Sequence, residues 1–281
     1  MVWVNLFHFS SWLLRGVFGL SLLAACNLQV SPALSPPVMA SGNEVPLRLD
    51  RVTKAPTLNF PSPSELNKAA ELELSMRLSG YQALGMAVFL PGSPATDYQR
   101  LAQLFTAIHA QSHILNDEIF PVLVEKDEFQ AYTLGGKEVV FYTGLVRRLT
   151  DDALSFVIAH EIAHIAAGHV GETQSRNVIN TSDYSDPRVL GDFYSVSNEQ
   201  EADHLAILYM ARAGLDISVA ANLWGELAAR EDQKQYDIFT ASHPSMKDRA
   251  AYLDALSLEF NDKINQFDQS RLLDCNPIYC N

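Results

Sequence analysis

The stretch Phe156 to His169, FVIAHEIAHIAAGH, sets two histidines four residues apart with a glutamate directly after the first. Thr150 and Asp151 precede its apolar run and Gly168 ends it, so a predicted helix has an acidic start and a glycine stop. On a helix, residues i and i+4 share a face, and His160 and His164 can therefore present imidazole nitrogens to one ion. Glu161 stands beside them, where its carboxylate can reach a water at the ion rather than the ion itself. This is the H-E-x-x-H logic, in which zinc brings a water's pKa toward neutrality and the glutamate takes the proton as general base.

A catalytic zinc needs three protein ligands and an open position, so a third ligand must come from elsewhere. Downstream, NEQEADHL offers Glu199 and Asp203, again four apart. That pairing assigns Glu199 to the metal and Asp203, one turn on, to a hydrogen bond with a ligand histidine or a reacting group. Glu201 lies about 200° around the helix from Glu199, so the two cannot both face the ion, and Glu201 stands as the rival ligand. His109 and His113, in AIHAQSHI, repeat the histidine spacing, but Ala110 occupies the place of the base, and the pair reads as a partly exposed helix face. The metzincin extension would require a glycine and a third histidine where this chain has Ala167 and Val170. His169, five residues beyond His164, points off the metal face and reads as a polar helix end or as a group behind a ligand.

With 281 residues, 48% of them hydrophobic and 19% charged, the chain has the makings of one globular domain. A formal net charge of -13 and the lack of clustered Lys and Arg exclude a nucleic-acid partner. Within residues 1–25 the only Asp, Glu, Lys or Arg is Arg15, and Leu23, Ala24, Ala25 and Cys26 resemble the bacterial lipobox. Residues 1–25 are thus expected to be a lipoprotein signal peptide, with lipid on Cys26. A plain secretory signal or a transmembrane anchor is the other reading, and each takes the chain out of the cytoplasm. Cys275 and Cys280, in CNPIYC, remain either to pair in an oxidising periplasm or to stay as two thiols on the tail. Seven of the thirteen prolines fall between Asn27 and Pro63, so residues 26–61 read as a tether.

A domain over 62–257 follows, opening at Ser62 and Glu65, which have capping-box spacing around Pro63. After two predicted helices, the β-branched and aromatic runs of FPVLVEKDEFQAYTLGGKEVVFYTG flank Gly135 and Gly136 as strands joined at a turn do, in a small antiparallel sheet. Four more helices are predicted: the one bearing the opening motif, SNEQEADHLAILYMARAG, DISVAANLWGELAARED and HPSMKDRAAYLDALSL. Residues 258–281 form a tail. The class is α+β, mostly helical.

AHEIAHIAAGH, NEQEAD and LGGKEVVFYTGLV together resemble the zinc metalloprotease family of HtpX-like, CAAX-prenyl-endopeptidase-like and BepA-like peptidases, gluzincins, and most of all its short bacterial lipoprotein members. The resemblance implies a zincin-like domain with one zinc held by His160, His164 and Glu199, Glu161 as base, and Asp203 as proton donor or ligand partner. It also directs attention to ASHPSMKDR, where His243 either stabilises the oxyanion, closes on zinc as a fourth ligand, or is a loop histidine fixed by Pro244. In the resembling fold the strand after the double glycine is an edge that pairs with an extended peptide, which KEVVFYTG could be; an ordinary half-buried strand is the alternative. The function implied is a metalloendopeptidase on unfolded or misfolded envelope proteins. Its location would be the periplasmic side of a membrane, and Asn27 after Cys26 points to the outer one. The rival is a non-catalytic, zinc-stabilised chaperone or assembly factor that grips extended chains in the same cleft.

Overall fold

Local signals in the sequence set several helix ends. In the computed structural model, which describes residues 48–54, 56–57, 59, 61–180, 195–229 and 249–266, Ser62 caps helix α1 (Pro63–Ala83) through the full capping box with Glu65. Thr150 caps α4 (Asp151–Ala167) by accepting from the Ala153 N–H, and Gly168 ends it in the left-handed conformation, φ 74°. Between them lie α2 (Thr96–His109) and α3 (Thr143–Arg148). Helix α5 (His169–Asn180) leaves α4 at a bend, its first part His169–Ser175 inclined by 54°. Ser195 and Asn198 form a second capping box at the start of α6 (Val196–Arg212), and α7 (Val219–Ala229) and α8 (Arg249–Gln266) follow.

A short antiparallel hairpin, β1 (Arg48–Leu49) with β2 (Pro56–Thr57), lies within the range read as tether. Asn59 just beyond it donates to the Gly168 carbonyl oxygen. The main sheet has four strands, β3 (Val88–Phe89), β4 (Phe120–Val124), β5 (Ala131–Thr133) and β6 (Glu138–Tyr142), in the order β3-β4-β6-β5. The antiparallel pair expected about Gly135 and Gly136 is present, but the sheet as a whole is mixed. The strand turning through Gly135 (φ 79°) into β6 is β5, and β4 pairs with β6 in parallel. The physical reason is in the burial: β4 and β6 are apolar almost throughout and covered on both faces, as interior strands are, whereas β5 alternates. KEVVFYTG is therefore interior, and of its two expected readings the edge is corrected; the edges are β3 and β5.

Side-chain alternation divides the sheet between two cores. Val122, Val124, Val140 and Tyr142 pack with Leu74 of α1 on one face. Leu123, Ala131, Val139 and Phe141 join α2 and α4 on the other. Helix α4 is buried almost completely because α6 covers its far side, so the motif helix is the axis of the domain. No helix among the described residues is long and apolar enough to cross a membrane, although α4 and α5 qualify as a bent pair by composition; the burial of α4 explains its apolarity. Residues 1–25, Cys26, His243, Cys275 and Cys280 lie outside the described residues.

Candidate metal centre

Two helices build the site. α4 supplies His160, Glu161 and His164, and α6 supplies Glu199 and Asp203; all five are at most 2% exposed. The two Nε2 atoms lie 3.0 Å apart. Glu199 Oε2 is 3.3 Å from His160 Nε2, and its Oε1 is 3.4 Å from His164 Nε2. One ligand atom from each of the three falls within 4.8 Å of the others, the one such group among the described residues.

The opposite edge of each imidazole is also engaged. His160 Nδ1 is 2.9 Å from Asp203 Oδ1, and His164 Nδ1 is 2.8 Å from His169 Nδ1, with Glu201 Oε2 3.4 Å beyond at His169 Nε2. Glu201, the rival ligand of the sequence reading, thus faces His169 while Glu199 faces the cluster. His109 and His113 do not converge: His109 Nε2 meets the Ile114 carbonyl oxygen and His113 Nδ1 meets the Tyr209 hydroxyl, each at 2.9 Å.

Arg249, on α8, was missed by the sequence reading. Its Nε and Nη2 donate to Asp203 at 2.9 and 2.6 Å, its Nη1 donates to Glu199 at 3.1 Å, and its guanidinium lies 3.9 Å over the Trp224 ring. Burial would raise the Asp203 carboxyl, but the charge of Arg249 and the contacts with His160 and Arg249 hold it below its ordinary value.

The electrostatics favour positive charge at the centre of the cluster. Burial lowers His160, yet its contacts with Asp203 and Glu199 outweigh that and raise its pKa to about 9. Burial holds His164 well below 6.5, with the pull of Glu199 overcome. At 3.0 Å the two Nε2 atoms either share a proton or turn their lone pairs to one cation. Two histidines and a carboxylate, with the outer nitrogens already directed at hydrogen-bonding groups, are a donor set suited to a divalent ion with a position left open. Beside His164 a cavity of about 240 Å³ opens between the β1–β2 hairpin, the start of α1, Gly135–Lys137 and the α4–α5 junction.

The profile of peptidase family M48 matches residues 95–186 and 187–257. The mitochondrial metalloendopeptidase OMA1 of Arabidopsis thaliana is 29% identical over 164 residues, covering 52% of this chain and 33% of that protein. Metalloendopeptidase OMA1 of Bos taurus is 26% identical over 166 residues, covering 48% and 31%. Metalloprotease LoiP of Escherichia coli K12 is 24% identical over 154 residues, covering 48% of this chain and 60% of its own. The chain thus matches about a third of the OMA1 proteins' length and under two thirds of LoiP. Because the profile match spans more than half of the sequence and takes in the whole His-His-Glu cluster together with Asp203 and Arg249, the chain belongs to peptidase family M48.

Proposed function

We propose that this protein is a zinc-dependent metalloendopeptidase that cuts internal peptide bonds of unfolded or misfolded envelope proteins, held to a membrane by lipid on Cys26. The observation that carries it is the convergence of His160, His164 and Glu199 with Glu161 adjacent on the same buried helix. When bound, zinc would supply a Lewis acid for the scissile carbonyl and lower the pKa of the attacking water. Glu161 accepts the proton from that water and passes it to the departing amine. Arg249 holds Glu199 and Asp203 in place, and Asp203 fixes the ring of His160.

Substrate would be bound as a strand. Because the Gln130 carbonyl oxygen accepts from the Tyr142 N–H at 3.0 Å, antiparallel alternation turns the main-chain groups of Ala131 and Thr133 away from β6. No described strand pairs with that side of β5, which packs against α4. An extended peptide added there is recognised mainly through its backbone, which fits unfolded substrates of varied sequence. The cavity beside His164 is a recess for one substrate side chain.

The test is cleavage of an unfolded protein by the chain from Asn27 onward, with and without chelator, beside Glu161→Gln. Activity abolished by both, with zinc retained in the variant, is the expected result. Stoichiometric zinc without cleavage in the wild type would instead support the non-catalytic chaperone.

A further inference from the structure

His169 and Glu201 are the two groups near the metal centre that the reaction leaves unused, and their geometry assigns them a task. On an unbroken helix His169, five residues past His164, would point about 140° away from it. The left-handed Gly168 breaks α4, and the 54° bend into α5 swings His169 back behind His164. There it is fully buried, Nδ1 to Nδ1 at 2.8 Å, on the side of the ring opposite the Nε2 convergence. It therefore backs His164 and is not a fourth ligand. Its own far nitrogen reaches Glu201 Oε2 at 3.4 Å, and Glu201 comes from α6, two residues after Glu199.

Proton bookkeeping along this line has a single solution once His164 binds a metal. Nε2 must offer a lone pair, so the His164 proton sits on Nδ1 and is donated to His169 Nδ1. His169 is then protonated on Nε2 and donates to the Glu201 carboxylate. We infer that His169 and Glu201 form a positioning relay that fixes the tautomer and ring plane of His164, the counterpart of the direct contact from His160 to Asp203. α6 thereby serves both histidine ligands: Asp203 backs one directly, and Glu201 backs the other through an imidazole inserted at the helix break. The inference rests on the metal site proposed above.

The test measures zinc affinity by competition with a chromogenic chelator for the wild type, His169→Leu, His169→Gln and Glu201→Ala. Alongside it, proton NMR of the cobalt-substituted proteins follows the exchangeable Nδ1–H signals of the ligand histidines. His169→Leu is expected to bind zinc about 10- to 100-fold more weakly and to lose the His164 signal to exchange. Glutamine can accept through its oxygen and donate through its nitrogen, so His169→Gln recovers most of the affinity, an outcome that a space-filling role would not give. Glu201→Ala, on a side chain that is 24% exposed, carries the test if His169→Leu fails to fold, with roughly tenfold weaker binding expected. Stoichiometric zinc in the wild type, with affinities of the folded variants within twofold of it and the signal retained, overturns the relay and leaves the metal site standing. No zinc in the wild type overturns both.

Discussion

The chain contains the same histidine spacing twice, and only one pair makes a site. His160 and His164 lie within a continuous buried helix, face each other at 3.0 Å and have partners behind them, Asp203 for one and His169 with Glu201 beyond it for the other. His109 is the last residue of α2 and His113 stands beyond its end, so the i,i+4 relation, which holds only on a helix, is lost between them. Each turns to a local partner, a carbonyl for His109 and a tyrosine hydroxyl for His113. What separates the pairs is the second helix: α6 brings Glu199, Glu201 and Asp203 to α4, whereas it offers His113 only Tyr209 and the nearby positive charge of Arg212. Spacing supplies the donors, and packing against an acidic helix gathers them into a cluster that could hold a metal.

Substitutions at the two pairs should differ accordingly. Glu161→Gln should lower kcat by about 10²- to 10⁴-fold with zinc content unchanged, measured by metal analysis beside the cleavage assay. Arg249→Leu leaves two buried carboxylates without their cation and should cost about 3–5 kcal/mol of stability in urea unfolding, with Arg249→Lys losing less because charge but not the fork is kept. His113 should matter through pH alone. Burial, aided by the charges of Arg212 and Lys54, lowers its pKa from 6.5 to about 4, so the fold holds it neutral. The unfolded chain takes up the proton first as pH falls, so this contribution is complete above about pH 6.5 and is lost toward pH 4. His113→Gln should flatten that part of the urea-midpoint profile between pH 7.5 and 5, relative to wild type. The smallest effect belongs to His109→Ala, which should leave zinc stoichiometry and cleavage unchanged; a loss of metal there would show that the two pairs are not as different as their geometry.

Legibility followed the range of the interactions. The caps at Ser62 and Thr150 and the stop at Gly168 were readable, because each is decided within a few residues. The sheet was readable as apolar runs but not as a topology. Pairing β4 with β6 in parallel and placing β5 outside them depends on which strands are covered on both faces, and that is settled by α1 and α4 from opposite sides. Around the cluster, Glu199 and Asp203 could be nominated by helical spacing because both lie on one face of α6. Arg249 could not, since nearly fifty residues separate it from the carboxylates it clamps.

His169 marks the boundary most clearly. Residue identity and helical period were enough to nominate His160 and His164 as paired donors with Glu161 beside them, because those relations repeat every turn of a single helix. They also placed His169 off the metal face. Its return behind His164 required the positive φ at Gly168 and the approach of Glu201 from α6, a backbone break and a helix contact that no periodicity encodes. Chemistry carried by one regular element is written in the order of its residues, whereas chemistry that needs two elements to meet is decided by the packing that brings them together.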